Sequence, residues 1–440
     1  MKYLLKGGMV VDPVAETVAP LDILVDEGKI AAMRPGIEDS DAEVLVVEGN
    51  YVFPGFIDIH CHLREPGEEL KETILTGTRA AAKGGFTAVA CMGNTKPPAD
   101  NGAVVTYIKE KAQRTSFPVY PIGCATKERK GEEPAEIGDL KEAGVVALSD
   151  DGDPIMNAEV LRRVMEYARM FELPVISHCE DKNLSGSGVM HEGYISTLLG
   201  LEGIPAAAEE VHVARDLILA AMTGVHLHVA HVSTGGSVHL IREAKKRGVS
   251  VTAEVTPHHL CLTAEAVRGY DTNTKVNPPL RTKDDIRALL EGLKDGTIDV
   301  IATDHAPHRK EEKEVEYNYA PFGISGLETA VPLMWEYLVA RKVLSPVELA
   351  KKMALNPARI IGLPDRVIKV GGEANITVVD PDLKRPVVTR EFLSLGKNNP
   401  FEGRLLRGWP VLTMIRGEVR FTWDTGYNKQ ERAVTSKSKR

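Results

Sequence analysis

Short apolar runs that end on a polar residue recur through the middle of the chain. They cover 51–57, 87–92, 119–124, 145–149, 175–177, 227–230, 251–255 and 300–303. The first leads into His60 and His62. The others close on or near Asn94, Thr126, Asp151, His178, His231, His258 and Asp304. Apolar runs bounded by turn residues read as buried strands. The helical periodicity of 69–83, 158–171, 206–222 and 237–247 reads as amphipathic helix. Strands alternating with helices predict a parallel sheet. Eight of them predict an α/β chain closed as a (β/α)8 TIM-type barrel. An open doubly wound sheet is the other arrangement. Against it, no GxGxxG follows the first strand, and polar residues recur at nearly every strand end.

The two ends of the chain carry a different pattern. A turn flanked by apolar residues spans 21–30, and another strand with a turn spans 43–50. Apolar strands with nearby glycine turns return at 374–380 and 411–419. This predicts a small β-sandwich domain assembled from 1–53 and 362–427, with a catalytic barrel over 54–361. Residues 428–440 are polar and basic with almost no apolar anchor, which predicts a tail.

Composition narrows the class. A chain of 440 residues can bury a large core, and 43% hydrophobic with 26% charged residues fits a soluble globular protein. No apolar run is long enough to span a membrane, and the start of the chain lacks a signal-peptide pattern. The five cysteines are scattered and without CxxC spacing, which points to a reducing cytoplasm and against a thiolate zinc site. Cys61 and Cys179 adjoin candidate ligands, but strand alternation turns them to the opposite face. A net charge of −8 gives no reason to expect nucleic acid. An anionic substrate would need local positive charge against that background.

Side chains two apart on a strand share a face, so His60 and His62 project together. Histidine is the usual nitrogen ligand for zinc. In a (β/α)8 barrel the C-terminal strand ends converge on one mouth. There His60 and His62 would meet Asp151, His178, His231 and Asp304. Any one of these could be an ordinary core or turn residue, but all six at strand ends form a metal pattern. Four histidines and two carboxylates exceed the needs of one tetrahedral ion. They suit two ions sharing a bridging carboxylate and a bridging hydroxide.

Two stretches carry a resemblance to a known family. They are Asp58-Ile59-His60-Cys61-His62-Leu63-Arg64-Glu65-Pro66-Gly67 and Ala302-Thr303-Asp304-His305-Ala306-Pro307-His308, with Lys313 following. On these the chain, from Met1 to about Trp423, resembles the dihydroorotases of the amidohydrolase superfamily in their longer, bacterial type I-like form. The resemblance implies zinc and the reversible cyclisation of N-carbamoyl-L-aspartate to L-dihydroorotate in pyrimidine synthesis. It implies that His60, His62 and Asp304 surround one metal and His178 and His231 the other. Many relatives, hydantoinases included, bridge the two with a carboxylated lysine. This chain has Leu148-Ser149-Asp150-Asp151-Gly152 there, and the type I pattern points to Asp151 as the bridge. Asp304 is the implied proton carrier.

For substrate, the same resemblance implies contacts from His62, Arg64, Asn94, Asn277, Asp304 and His308, and from the backbone at Phe322 and Gly323. Arg64 lies two residues past His62, and a guanidinium suits a carboxylate. Asn94 and Asn277 also have turn composition around them, which would explain them without substrate. His258 and His259 are expected to be core or supporting residues. His191, His212 and His239 have no expected chemical role. The charged segment 309–319 reads as a solvated loop, or as a mobile edge that orders over substrate. A homodimer is expected, and association with aspartate transcarbamoylase is a further expectation. The competing functions are another cyclic amidase (allantoinase, or dihydropyrimidinase/hydantoinase) and a non-catalytic scaffold. The missing bridging lysine argues against the first, and the complete ligand set against the second.

Overall fold

The computed structural model describes residues 1–423, so the expected tail at 428–440 lies outside the described residues. Both chain ends contribute to one eight-stranded mixed sheet. It takes Tyr3–Asp12, Thr17–Asp26, Lys29–Arg34, Glu43–Val46 and Tyr51–Pro54 from the start of the chain. From the end it takes Ile376–Pro386, Leu405–Ile415 and Glu418–Thr422. Tyr51–Pro54 is the seam. It pairs parallel with Tyr3–Asp12 and antiparallel with Ile376–Pro386. Alternate residues of these strands, among them Leu5, Ile23, Val25, Leu45, Val378 and Met414, bury a core of their own.

The middle of the chain is α/β. Phe56–Cys61, Phe86–Cys91 and Val119–Pro121 form one parallel sheet. Val175–Ser177, Leu227–Val229, Val251–Val255 and Val300–Ile301 form a second. Single parallel bridges, Gly123 to Leu148 and Leu148 to Val175, join the two on one side; Cys61 to His305 joins them on the other. The expected strand over 145–149 is therefore a bridge one residue long. Its backbone still bonds to both neighbours, Val146 N–H to the Pro121 carbonyl at 3.0 Å and Ile176 N–H to the Leu148 carbonyl at 2.8 Å.

The helices between strands follow the sequence pattern with shifted ends. The helix expected over 69–83 begins at Ile74, because Thr73 stops it by accepting the Thr76 N–H at 3.1 Å. The others include Ala158–Met170, Ala206–Thr223 and Gly235–Lys246. Alternation splits the strand residues between two cores. Phe86, Val89, Cys91, Val229 and Val255 bury with the helices. Ile57, Ile59, Ala88, Ala90, Ile176 and Ala302 bury chiefly with one another.

One irregularity places the chemistry. The register between Phe56–Cys61 and Phe86–Cys91 slips between Asp58 and Cys61. Before the slip Ile57 and Ile59 belong to the strand-only core; after it, Cys61 packs with the helix-facing core. The extra residue reverses the alternation, as a bulge does, so His60 follows Ile59 toward the interior and His62 joins it. Simple alternation from Ile57 would have turned both histidines away.

Candidate metal centre

The six expected ligands meet at the strand ends, and all are buried. Asp151 sits in the middle. Its Oδ1 lies 3.4 Å from His60 Nε2, 3.4 Å from His231 Nε2 and 3.7 Å from His178 Nδ1. Its Oδ2 lies 3.5 Å from His62 Nε2. Asp304 Oδ1 approaches His62 Nε2 at 3.1 Å and His60 Nε2 at 3.5 Å. Two ligand triads result, His60–His62–Asp151 and Asp151–His178–His231, and Asp151 belongs to both. Asp150 turns away, its Oδ1 accepting from the N–H groups of Ala125 and Thr126 at 2.8 and 3.1 Å.

Whether these residues fit a metal can be read from their hydrogen bonds. His60 Nε2 and Asp151 Oδ1 are buried and have no hydrogen-bond partner. Buried polar atoms are rarely left so, and a cation between them resolves both. The far nitrogens of three histidines are occupied. His60 Nδ1 donates to Glu254 Oε1 at 2.5 Å, His62 Nδ1 to Asn94 Oδ1 at 2.9 Å, and His178 Nε2 to Glu180 Oε2 at 3.0 Å. Each of these bonds fixes the tautomer with its lone pair toward Asp151, as a metal ligand requires. The residues fit a metal centre. Glu254 and Glu180 were not singled out from sequence. Glu180 stands two residues past His178, and Glu254 interrupts an apolar strand; both signals were available.

Charge in the cluster is concentrated. Burial would raise the Asp151 carboxyl, yet the charge of His60 and the close approach of His231 hold it well below the usual range. Burial opposes Asp304 in the same way, and the His62 hydrogen bond with the His60 charge holds it low. Asp58 supports this strand end from beneath. It accepts from Thr303 N–H at 2.9 Å and Thr303 Oγ1 at 2.6 Å, while burial pushes its carboxyl up to about 6. His231 and Asp304 hold backbone φ of +30° and +45°, sparsely populated for residues with a side chain.

The expected substrate residues surround this cluster, and several already have partners. Arg64 is 9% exposed, and among the described residues no carboxylate pairs with it; its Nε is buried without a partner. Burial lowers its pKa, while the charges of Glu68, Asp304 and Asp151 act against that. Gly67, in the same turn, has φ +96°, and a Cβ there would lie 2.1 Å from the Lys96 carbonyl oxygen, so only glycine fits. Asn94 orients His62, as given above. Asn277 Nδ2 donates to Glu180 Oε2 at 2.9 Å, and Glu180 also pairs with Lys182 at 2.7 Å. His308 Nε2 donates to the Phe322 carbonyl at 2.8 Å, leaving Nδ1 buried without a hydrogen bond, 3.7 Å from Glu312 Oε2. The Gly323 carbonyl accepts from Lys313 Nζ at 3.2 Å and from Asn398 Nδ2 at 2.9 Å.

The segment 309–319 is only partly solvated. Its first half holds a short helix, Lys310–Lys313, but Lys313 and Tyr317 are buried. Lys313 Nζ also donates to the Pro321 carbonyl at 2.7 Å, and Lys275 Nζ donates to the carbonyls of Tyr317 and Asn318, each at 2.9 Å. Burial, with help from Lys275, pushes Lys313 down to about 7, and burial alone pushes Lys275 to about 8. His259 ties the neighbouring strand end to the Asn277–Pro278 turn through the Pro278 carbonyl at 2.8 Å. Among the described residues no helix is long and apolar enough to cross a membrane.

Fold and site together point to a hydrolase of the amidohydrolase type, with residues that could hold a metal at the strand ends of an α/β chain. A dihydro-orotase-like family model matches residues 49–237. The chain is 61% identical over 419 residues to a dihydroorotase of Pelotomaculum thermopropionicum, covering 95% of this chain and 98% of that one. It is 55% identical over 432 residues to a dihydroorotase of a Thermoanaerobacter species, covering 98% and 100%. Among solved structures it resembles the L-hydantoinase (dihydropyrimidinase) of Arthrobacter aurescens, with TM-score 0.85, 27% identity and 95% of each chain covered. The dihydropyrimidinase of Brevibacillus agri matches with TM-score 0.82, 25% identity and the same coverage. The chain belongs to the dihydroorotase family.

Proposed function

We propose that the chain cyclises N-carbamoyl-L-aspartate to L-dihydroorotate with loss of water, reversibly, as a step of pyrimidine synthesis. The observation that carries this reading is Arg64, a buried guanidinium beside the His62–Asp304 cluster that has no ion pair among the described residues. Dihydroorotate carries a ring carboxylate that dihydrouracil lacks, and such an arginine is a partner for it. Asp151 in place of a carboxylated lysine favours the same reading over the hydantoinases that share the fold. The single bridges at Leu148 and between Cys61 and His305 support closure of the two parallel sheets as an eight-stranded barrel. Its proposed span is 54–361, and the terminal strands, expected as a sandwich, form the one eight-stranded sheet described above. A homodimer and docking on aspartate transcarbamoylase belong to the same reading, and sizing the chain alone and mixed with that enzyme tests both.

Two zinc ions are the proposed cofactors. His60, His62 and Asp304 would hold one and His178 and His231 the other, with Asp151 available to both. Bound there, they supply Lewis acidity, which acidifies water and polarises the ring amide carbonyl next to the methylene. The chain's own groups do the rest. Arg64, with Asn94 and His308 near it, holds the ring carboxylate; Asn277 and the backbone at Phe322 and Gly323 face the ring. Asp304, unprotonated at neutral pH, takes the proton of the attacking water and delivers it to the ring nitrogen as the carbon–nitrogen bond breaks. Cyclisation runs the same transfers in reverse.

Arg64→Met keeps bulk and removes the fork. A hydrogen bond to a charged group contributes about 1.5–3 kcal/mol, so kcat/KM for dihydroorotate should fall about 10- to 150-fold. Zinc content should be unchanged, and the preference over dihydrouracil should narrow. Equal losses on both substrates would remove Arg64 as the carboxylate anchor. The Asp151 bridge makes a separate prediction. Activity should be indifferent to stripping carbon dioxide from the buffer, and Asp151→Ala should lower occupancy of the second metal. A requirement for carbon dioxide, or a loss in Asp150→Ala alone, would count against Asp151.

A further inference from the structure

We infer that Glu254 is a positioning residue that sets both metal subsites at once. The inference rests on the two-metal reading above. Glu254 is fully buried on Val251–Val255, next to the strand Leu227–Val229. Its Oε1 takes two donors, His60 Nδ1 at 2.5 Å and the backbone N–H of His231 at 3.2 Å. Its Oε2 takes His228 Nε2 at 3.1 Å, and His228 is fixed in turn by Thr252 Oγ1 at 2.8 Å. His60 belongs to one ligand triad and His231 to the other. One carboxylate therefore aims the imidazole of the first and anchors the main chain of the second.

The anchoring bond falls where it is needed. His231 holds φ +30°, which costs free energy and persists only where surrounding contacts over-determine it. The Glu254 bond to the His231 N–H is one such contact. The bond to His60 also acts through charge, because a carboxylate behind an imidazole raises its basicity toward a cation. Glu254 makes no side-chain hydrogen bond or ion pair with the expected substrate residues Arg64, Asn94, Asn277 or His308. Its effect on turnover must pass through the metals.

The consequence differs from that of losing a ligand. Removing His178 empties one subsite, whereas removing the Glu254 charge weakens both. Glu254→Gln keeps volume and one acceptor oxygen for the His60 and His231 donors, puts an NH2 that only donates in place of the other oxygen, and removes the charge. Stepwise zinc dissociation constants, measured by competition with a chelating indicator on the full-length protein, should both rise by about 10- to 100-fold, the cost of losing such an orienting partner. In dihydroorotate hydrolysis KM should hold, and kcat should recover toward wild type as zinc is raised, which a folding defect would not allow. His228→Gln, which leaves both Oε1 bonds, should shift both constants the same way by less, and it carries the test should Glu254→Gln not fold. Two zinc ions held at wild-type affinity in these variants, or a change at one site only, overturn the inference alone. A wild type that binds fewer than two ions overturns both it and the two-metal reading.

Discussion

His178→Ala should lose bound zinc and turnover in the same preparation. The side chain supplies Nδ1 to the subsite it shares with His231, whose Nε2 lies 2.9 Å away, and Asp151 Oδ1 lies 3.7 Å from it. Only Asp151 and His231 remain there once His178 is gone, one protein ligand short of the three that catalytic zinc sites ordinarily keep. The loss of affinity should exceed the roughly 10- to 100-fold that follows removal of an orienting partner. Glu180 should matter less, since it acts through His178 Nε2. Elemental analysis beside a turnover assay checks this. A metal-free wild type with full turnover, or His178→Ala with both zinc ions and normal rate, would contradict it.

Asp304→Asn should lower kcat by at least ~10²-fold, the low end for lost general acid–base help. The amide keeps the size and one oxygen that can still face His62 and His60, but it cannot take up the proton. The carboxylate is well suited to that task. It is buried, it is held unprotonated by the histidines against the cost of burial, and its backbone is fixed at φ +45°. Zinc content should fall less than in His178→Ala. Measuring kcat with zinc quantified separates the two roles, and near-normal turnover would reject Asp304 as proton carrier.

Much of this centre was legible in the sequence because metal ligands are polar residues at the ends of apolar runs. His60, His62, Asp151, His178, His231 and Asp304 could be read one at a time, and the barrel pattern predicted that they meet. What escaped depends on partners distant in the chain. The slip between Asp58 and Cys61 is set by pairing with Phe86–Cys91, and no local pattern in 56–62 announces it. The strand expected over 145–149 has apolar character enough, but its neighbours allow one bridging residue. In sequence Asn94 and Asn277 read either as substrate contacts or as turn residues. The structure gives each a further task, orienting His62 and holding Glu180. Lys313 and Tyr317 lie in a segment whose charge suggests solvent, yet both are buried beneath it.

The proposed function is that of a two-zinc enzyme specific for a cyclic amide bearing a ring carboxylate. Its most direct test is metal stoichiometry measured on the same preparation as activity toward dihydroorotate, hydantoin and allantoin. Two zinc ions per chain and turnover of dihydroorotate far above the other two are the expected result. Preferential turnover of hydantoin or allantoin, or full dihydroorotate turnover without bound metal, would contradict it.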